Sequence, residues 1–265
     1  MPTKINSIGI LAGEGEIPHI LIDHCLQKNL PVCAVQFDGC AYSRFPDIPV
    51  LNTRIERVGE VFKFFKSNQV SDVVLIGNLS RPSPSSLRPD WKGVKVLSQL
   101  AMAFTKGDDT LLRTLRHIIE DEGFTVRGAD YFIDDLTLPV GVHTTTTSTS
   151  DYTSGVQESI KHGIDDKGQS ILMHVDGTFS HETRSGTTAL ILNEGRAGSI
   201  LIKMTKPQQD PDLDRPTVGL DTLKALHKVG ASGLVIQAQS VFAIHKNAMV
   251  KYANDHNLFI EAVKT

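Results

Sequence analysis

The chain has 265 residues, of which 40% are hydrophobic and 22% charged, with a formal net charge of -3. That size admits one or two domains with a sizeable core. The near-neutral balance excludes nucleic acid as a partner held by overall charge, and equally a general attraction to anionic membranes.

In chain order, residues 5–12 form an apolar run that predicts a strand, and 17–28 predicts a helix. Pro31 to Gln36 reads as the next strand. Glu56 to Gln69 carries Val58, Val61, Phe62 and Phe65 at helical spacing, and Val73 to Ile76 is a compact apolar strand. This succession predicts a right-handed β–α–β arrangement. Two helices are expected next, Ser98 to Thr105 and Asp108 to Glu122, the second stopped by Gly123. Thr125 to Ala129 reads as a short strand.

From Asp134 to Asp151 the composition changes, with Pro139, Gly141 and a threonine-rich run; a linker or mobile connection is expected, with an exposed strand as the alternative for the threonines. Beyond it a helix starts near Tyr152, and Ser170 to Val175 reads as a strand. Thr188 to Leu192 belongs to a helix, Ser199 to Lys203 and Leu234 to Ile236 to strands, and Leu220 to Val229 to a helix between them. Val241 to Asn254 holds a short strand and a helix, and Leu258 to Val263 a last strand. The expected fold class is α/β, with two α/β domains and a ligand cleft between them. A Rossmann-like parallel sheet occupies 1–133, 134–151 connects, and an α/β catalytic domain fills 152–265.

Four places carry chemistry. The first is the turn at Gly13 and Gly15, between a strand and a helix, where small residues let backbone N–H groups approach a phosphate. A purely structural turn is the competing reading, because Glu14 and Glu16 bring negative charge there. The nicotinamide fingerprint is incomplete, since Pro18 stands three residues beyond Gly15. Asp38, just past the second strand, keeps a nicotinamide-dependent oxidoreductase in view. The second place is Gly77 to Pro82, after the strongest strand: Asn78 and Ser80 can orient oxygens, and Arg81 can clamp a phosphate. The third is Lys106-Gly107-Asp108-Asp109. Asp108 either caps a helix or joins Asp109 and Lys106 in arranging a metal and a phosphate. The fourth is Lys206, followed by the alternating Asp210, Asp212 and Asp214, which do not follow the calcium-loop order but offer oxygens to magnesium. Arg215 is available there to a phosphate or to those acids.

His174, Asp176, His181 and Glu182 match no zinc motif. Glu182 stands beside Ser185-Gly186-Thr187-Thr188, a turn that either frames a ligand or is an ordinary loop. Cys25, Cys33 and Cys40 have no metal-type pairing and read as reduced cytoplasmic thiols. The N-terminus shows no secretory-type apolar stretch. No segment reaches the roughly 20 apolar residues a bilayer span needs, which leaves peripheral contact with lipid open.

Taken in order, the segments LAGEGEIP, GNLSRP, KGDD, GADYFIDDLTLP, KPQQDPDLDRPTVG and TLKALHKVGASG resemble the magnesium-dependent UDP-2,3-diacylglucosamine pyrophosphatase family of alphaproteobacteria, over nearly the whole chain. The resemblance implies two α/β domains and an acylated UDP-sugar substrate. It implies hydrolysis to UMP and 2,3-diacylglucosamine 1-phosphate (lipid X) in lipid A biosynthesis, with water attacking the phosphorus on the UMP side. It puts the aspartate needed for turnover at Asp214. Asp214 is then expected to hold Mg2+ or to orient water, and Asp109 and Glu182 are the further catalytic candidates, Asp109 also as a Mg2+ ligand. The expected substrate-binding set is Gly13, Gly15, Asn78, Ser80, Arg81, Lys106, Gly107, Asp108, Gly186, Thr187, Thr188 and Lys206. The chain departs from the family at Glu14, and at Ser185 and Thr188, which replace acids. Those replacements favour, as the alternative, a nucleotide-sugar-binding protein with weak or lost hydrolysis. Leu79, Phe104 and Phe132 are candidates for an acyl recess, each with a core alternative, and Trp91 for an exposed apolar lip. The expected location is the cytoplasm, including the cytoplasmic face of the inner membrane, with a homodimer compatible.

Overall fold

The structure, a computed structural model, describes residues 7–38, 45, 47–78, 88–104, 108–183 and 185–265; the side chains of 102–104, 108 and 109 lie outside it. By contact density the chain forms two compact units. One takes residues up to Asp134 together with Asp210–Asp214, and the other takes Asp135–Gln209 and Arg215–Thr265.

The first unit runs β1 (Ile8–Ala12), α1 (Ile17–Gln27), β2 (Val32–Phe37), β3 (Val50–Thr53), α2 (Val58–Ser67), β4 (Asp72–Ile76), α3 (Trp91–Phe104), α4 (Asp108–Asp121) and β5 (Thr125–Val126). The five strands form one parallel sheet in the order β3-β2-β1-β4-β5, which is doubly wound. Every residue of β1 and β2 is buried, as expected of strands covered on both faces. Phe62, Phe65 and Phe124 pack together in the core, and Gly9 leaves room for the Phe65 ring, which would stand 2.8 Å from an added Cβ.

Several expected elements shift. Strand β3 was not foreseen; it is a short edge strand after Pro49, only partly buried. Helix α3 begins at Trp91 rather than Ser98, because the Asp90 carboxylate accepts the Gly93 N–H at 2.6 Å and caps the first turn. Strand β5 stops at Val126, and Ala129–Tyr131 is a 3-10 turn.

The second unit runs β6 (Gly141–Val142), α5 (Thr153–Ile164), β7 (Ser170–Met173), β8 (Phe179–His181), α6 (Gly186–Glu194), β9 (Ile200–Lys203), β10 (Thr217–Val218), α7 (Leu220–Lys228), β11 (Gly233–Gln237), β12 (Phe242–Ala243), α8 (Lys246–Asp255) and β13 (Phe259–Val263). Its main sheet has the order β6-β13-β11-β9-β7-β8, with β13, β11 and β9 parallel and the outer strands antiparallel to their neighbours. Strands β10 and β12 form a separate parallel pair.

The stretch expected as a connection is fastened to this unit. Leu136 and Leu138 are buried, the Ala243 N–H donates to the Leu136 carbonyl at 2.8 Å, and β6 pairs with β13. The threonine run contributes as well, for the Thr144 hydroxyl accepts the Ile260 N–H at 2.9 Å. Among the described residues no helix is long and apolar enough to cross a membrane.

Candidate functional site

At the carboxyl ends of the central strands β1 and β4 of the first unit, the two glycine turns meet. The Gly13 N–H donates to the Ile76 carbonyl at 2.8 Å, and Glu14 and Asn78 exchange backbone hydrogen bonds at 2.7 and 2.9 Å. A Cβ on Gly13 would fall 2.4 Å from the Asn78 carbonyl oxygen, so this glycine is required by the close approach of two loops. Gly15 and Gly77 have φ of +110° and +91°, which glycine adopts without strain. Helix α1 starts directly after this turn, with Pro18 in its first turn and no side-chain cap on its N-terminus. The structure thus brings Gly13, Gly15 and Asn78 together at the edge where parallel sheets bind ligands. Ser80, Arg81, Lys106 and Gly107 lie outside the described residues, as do Leu79 and Cys40. Asp108 and Asp109 open α4, but their side chains, like that of Phe104, are not described.

The acidic segment Asp210–Asp214 belongs to the first unit, although the residues on both sides of it belong to the second. Three fixtures hold it. Leu213 is 8% exposed and packs in the core with Ile118, Ile119 and Val126. Arg116 of α4 donates to Asp210 at 2.5 Å and to Asp212 at 3.0 Å, and its Nε to Glu120 at 3.0 Å. The other Asp212 oxygen accepts the Gly128 N–H at 3.1 Å, a contact that the absence of a side chain on Gly128 permits. Burial works against the Arg116 charge, but the hydrogen bonds to Asp210, Glu120 and Asp212 outweigh it, so the guanidinium is held even more firmly protonated than usual. Asp214 itself is exposed, with its N–H on the Asp210 carbonyl at 3.1 Å.

Of the three alternating aspartates, Asp210 and Asp212 therefore anchor the loop. Arg116 is the residue that sequence reasoning missed: it reaches a partner 94 positions away, and only its local i,i+4 spacing to Glu120 is visible in the chain. Arg215, read as available to the acids or to a phosphate, donates to the Gln239 carbonyl at 3.1 Å and lies over the Phe242 ring.

In the second unit, Glu182 and Thr187 are brought together in a network around α6. One Glu182 oxygen accepts the Gln169 and Ser170 N–H groups at 2.9 and 3.0 Å, and the other accepts the Thr187 hydroxyl at 2.7 Å. The Thr187 oxygen accepts from the buried Lys203 at 2.8 Å and stands 2.9 Å from the Ser170 hydroxyl. One donor and two acceptor positions are all that a hydroxyl has, so Thr187 is fully committed and serves to fasten the first turn of α6 to β7 and β9. Gly186 has φ of +84° and open space beside it, while Thr188 is exposed on the same turn. Lys206 pairs with Asp166 at 2.8 Å.

The histidines of this unit have core and surface duties. His174 is buried between the Ser199 and Ser180 hydroxyls at 2.9 and 2.8 Å, and Asp176 is taken by the N–H and hydroxyl of Thr178. His162 lies 4.8 Å from the His181 ring, and its Nε2 is buried with no hydrogen-bond partner among the described residues. Burial and the neighbouring His181 push the His162 basicity down. Among the described residues no group of three or more His, Cys, Asp or Glu is placed to hold a metal ion.

The architecture is that of a two-domain α/β protein, one domain built on a doubly wound parallel sheet of the kind that presents its strand ends to phosphate-bearing ligands. Two family descriptions match it in order: the LpxI N-terminal domain over residues 7–136 and the LpxI C-terminal domain over 139–261. The chain belongs to the LpxI family. It is 28% identical over 274 aligned positions to the UDP-2,3-diacylglucosamine pyrophosphatase LpxI of Caulobacter vibrioides, and the match covers 98% of each chain. The boundary between the two matched domains falls beside the Asp134/Asp135 division of the fold.

Proposed function

We propose that the protein hydrolyses the pyrophosphate bond of UDP-2,3-diacylglucosamine, releasing UMP and 2,3-diacylglucosamine 1-phosphate, a step of lipid A biosynthesis. The observation that carries this reading is the ordered match of both LpxI domains along nearly the whole chain, together with a full-length relative of that activity. The substrate class is an acylated UDP-sugar, and its acyl chains make the cytoplasmic face of the inner membrane the place of reaction.

Asp214 is the residue on which turnover depends. It is an exposed residue on a loop whose other two aspartates, Asp210 and Asp212, are clamped by Arg116, and the family resemblance puts the aspartate needed for turnover at this position. Hard carboxylate oxygens fit Mg2+, and Asp214 with Asp109 would hold it. When bound, the ion would neutralise charge on the diphosphate oxygens. The chain's own groups do the rest. The Gly15 backbone, with Asn78, Ser80 and Arg81, binds phosphate oxygens; Gly13, whose own N–H is held by the Ile76 carbonyl, lets the two loops close around that place, and Lys106, Gly107 and Asp108 extend the set. Gly186 and Thr188 act through the α6 turn, and Lys206 adds a positive charge to the set. The Thr187 hydroxyl and Glu182 position that turn.

The test is UMP release from UDP-2,3-diacylglucosamine by the purified protein with Mg2+, against the same assay in EDTA. Asp214→Ala is expected to fold normally, since the side chain is exposed, and to lose at least about a hundredfold in kcat. Turnover equal to the parent would remove Asp214 from the reaction. Tight binding of the substrate by the parent protein without UMP release would favour the alternative, a nucleotide-sugar-binding protein. Ser185 and Thr188, standing where the family carries acids, give that alternative its motive.

A further inference from the structure

We propose that the outward face of α3 docks the protein on an anionic lipid surface. The proposal rests on the reading above for the choice of partner, a bilayer containing the acylated substrate, and adds the surface that meets it. Trp91 is 91% exposed and Val94 53% exposed, although α3 begins in the middle of a well-packed unit. Trp91, Val94, Lys95, Ser98 and Ala101 are all exposed and recur at three- and four-residue spacing, so they share one face of the helix. Gly93 and Val96 point the other way and are buried. An indole left in water on a helix that has a core to pack against is a group held for another surface.

Charge says which surface. The fourteen residues of α3 include Lys92 and Lys95 and no acid, and the exposed Arg88 stands just before the helix. Among the described residues, acids that pack against the helix are already answered. Asp90 accepts the Gly59 and Gly93 N–H groups at 2.8 and 2.6 Å, and Glu122 accepts from Lys66 and Lys92 at 2.8 and 2.5 Å. A face led by tryptophan and valine, with Lys95 on it and Arg88 before it, and with no uncompensated acid beside it among the described residues, matches an interfacial helix that lies on anionic headgroups. The overall charge of -3 does not oppose this, because attraction at a membrane surface acts within about a Debye length, near 8 Å at physiological ionic strength.

Trp91 is the only tryptophan in the chain, so its fluorescence reports on this face alone. The purified full-length protein is titrated with phosphatidylglycerol–phosphatidylcholine vesicles, and with phosphatidylcholine vesicles as the neutral control. The expected result is a blue shift with the anionic vesicles, quenching when their acyl chains are brominated, and loss of both at high salt. In co-sedimentation, Trp91→Ser should lower partitioning by roughly tenfold, and Lys95→Glu should abolish the preference for anionic lipid. Because both side chains are exposed, neither variant should alter the circular dichroism spectrum.

Emission unchanged by anionic vesicles overturns the proposal. So does a blue shift that follows protein concentration without lipid, which would assign the face to a second copy of the chain. UMP release from detergent-dispersed substrate is read separately. Release without vesicle binding overturns the docking surface alone, and vesicle binding without release overturns the hydrolase reading alone.

Discussion

Replacing Arg116 with alanine tests how the acidic segment is held. The guanidinium meets Asp210, Asp212 and Glu120, whose side chains are 15%, 35% and 35% exposed, and is itself 24% exposed. The two more exposed pairs are screened and contribute roughly 0.5 kcal/mol each. The Asp210 bond is the dominant one: it is short, charge-assisted and largely shielded, and contributes about 1.5–2 kcal/mol. The expected loss of stability is therefore about 2–3 kcal/mol, which lowers Tm by roughly 5–10 °C for a chain of this size.

Turnover should fall further than stability suggests. Leu213 still anchors one end of the loop, but without Arg116 the carboxylate of Asp214 is no longer fixed in place. A displacement of about 1 Å is enough to cost up to about a hundredfold in kcat, with a smaller change in KM. Thermal unfolding by circular dichroism and UMP release are the two measurements. Arg116→Lys keeps the charge but not the two-pronged geometry and should recover only part of each. Unchanged Tm and kcat in Arg116→Ala would refute the anchoring argument. Complete rescue by lysine would refute the claim that fork geometry matters.

Other variants probe the phosphate turn and the second unit. Gly13→Ala would bring a Cβ within 2.4 Å of the Asn78 carbonyl, so the two loops must part, at a cost of about 2 kcal/mol or more. Gly15→Ala meets open space and costs only about 1 kcal/mol, from its positive φ. Equal urea midpoints for the two would show that the loops are not in close contact. Burial holds both His162 and His174 below their ordinary value of 6.5. The unfolded chain then binds protons that the folded chain refuses, so stability is full above about pH 6.5 and declines as pH falls toward the lowered folded values. Urea midpoints measured from pH 7.5 to about 5 should fall, and His174→Gln should flatten the slope; a flat profile in the parent would count against buried neutral histidines.

The parallel core strands were legible because strands buried on both faces are written as near-continuous apolar runs, as in Val32 to Val35 and Ile200 to Ile202. Edge strands were not. Val50–Thr53, Gly141–Val142 and Phe179–His181 are short and half polar, and their pairing partners are what define them. The meeting of Gly13 with Asn78 was foreseeable as two turns at neighbouring strand ends, but the reason Gly13 must be glycine lies in a contact across more than sixty residues of chain. The hydrogen-bond partners of Thr187 were hidden for a similar cause. Its hydroxyl is saturated by Lys203, Glu182 and Ser170, three residues that only the folded sheet gathers. Long-range polar partners leave no periodic trace in a sequence, whereas apolar burial does.

The loop bearing Asp214 shows how such partners hold a segment in place. Ordering five residues costs roughly 5–10 kcal/mol of conformational entropy, reduced somewhat because Pro211 is already restricted. Burial of Leu213 offsets about 2 kcal/mol, and the Arg116 clamp about 2–3 kcal/mol. Backbone bonds at Leu213, Asp214, Asp212 and Gly128 offset roughly 1 kcal/mol each. The sum nearly cancels, so the loop is ordered by all its fixtures together and by none alone. A marginally held loop is sensitive to each anchor, and an anchor on α4 that binds Asp210 and Asp212 also bears on the placement of Asp214. Three acids that look alike in sequence thus differ in the fold: Asp210 and Asp212 are anchors, and on the proposed reading Asp214 is the carboxylate they position.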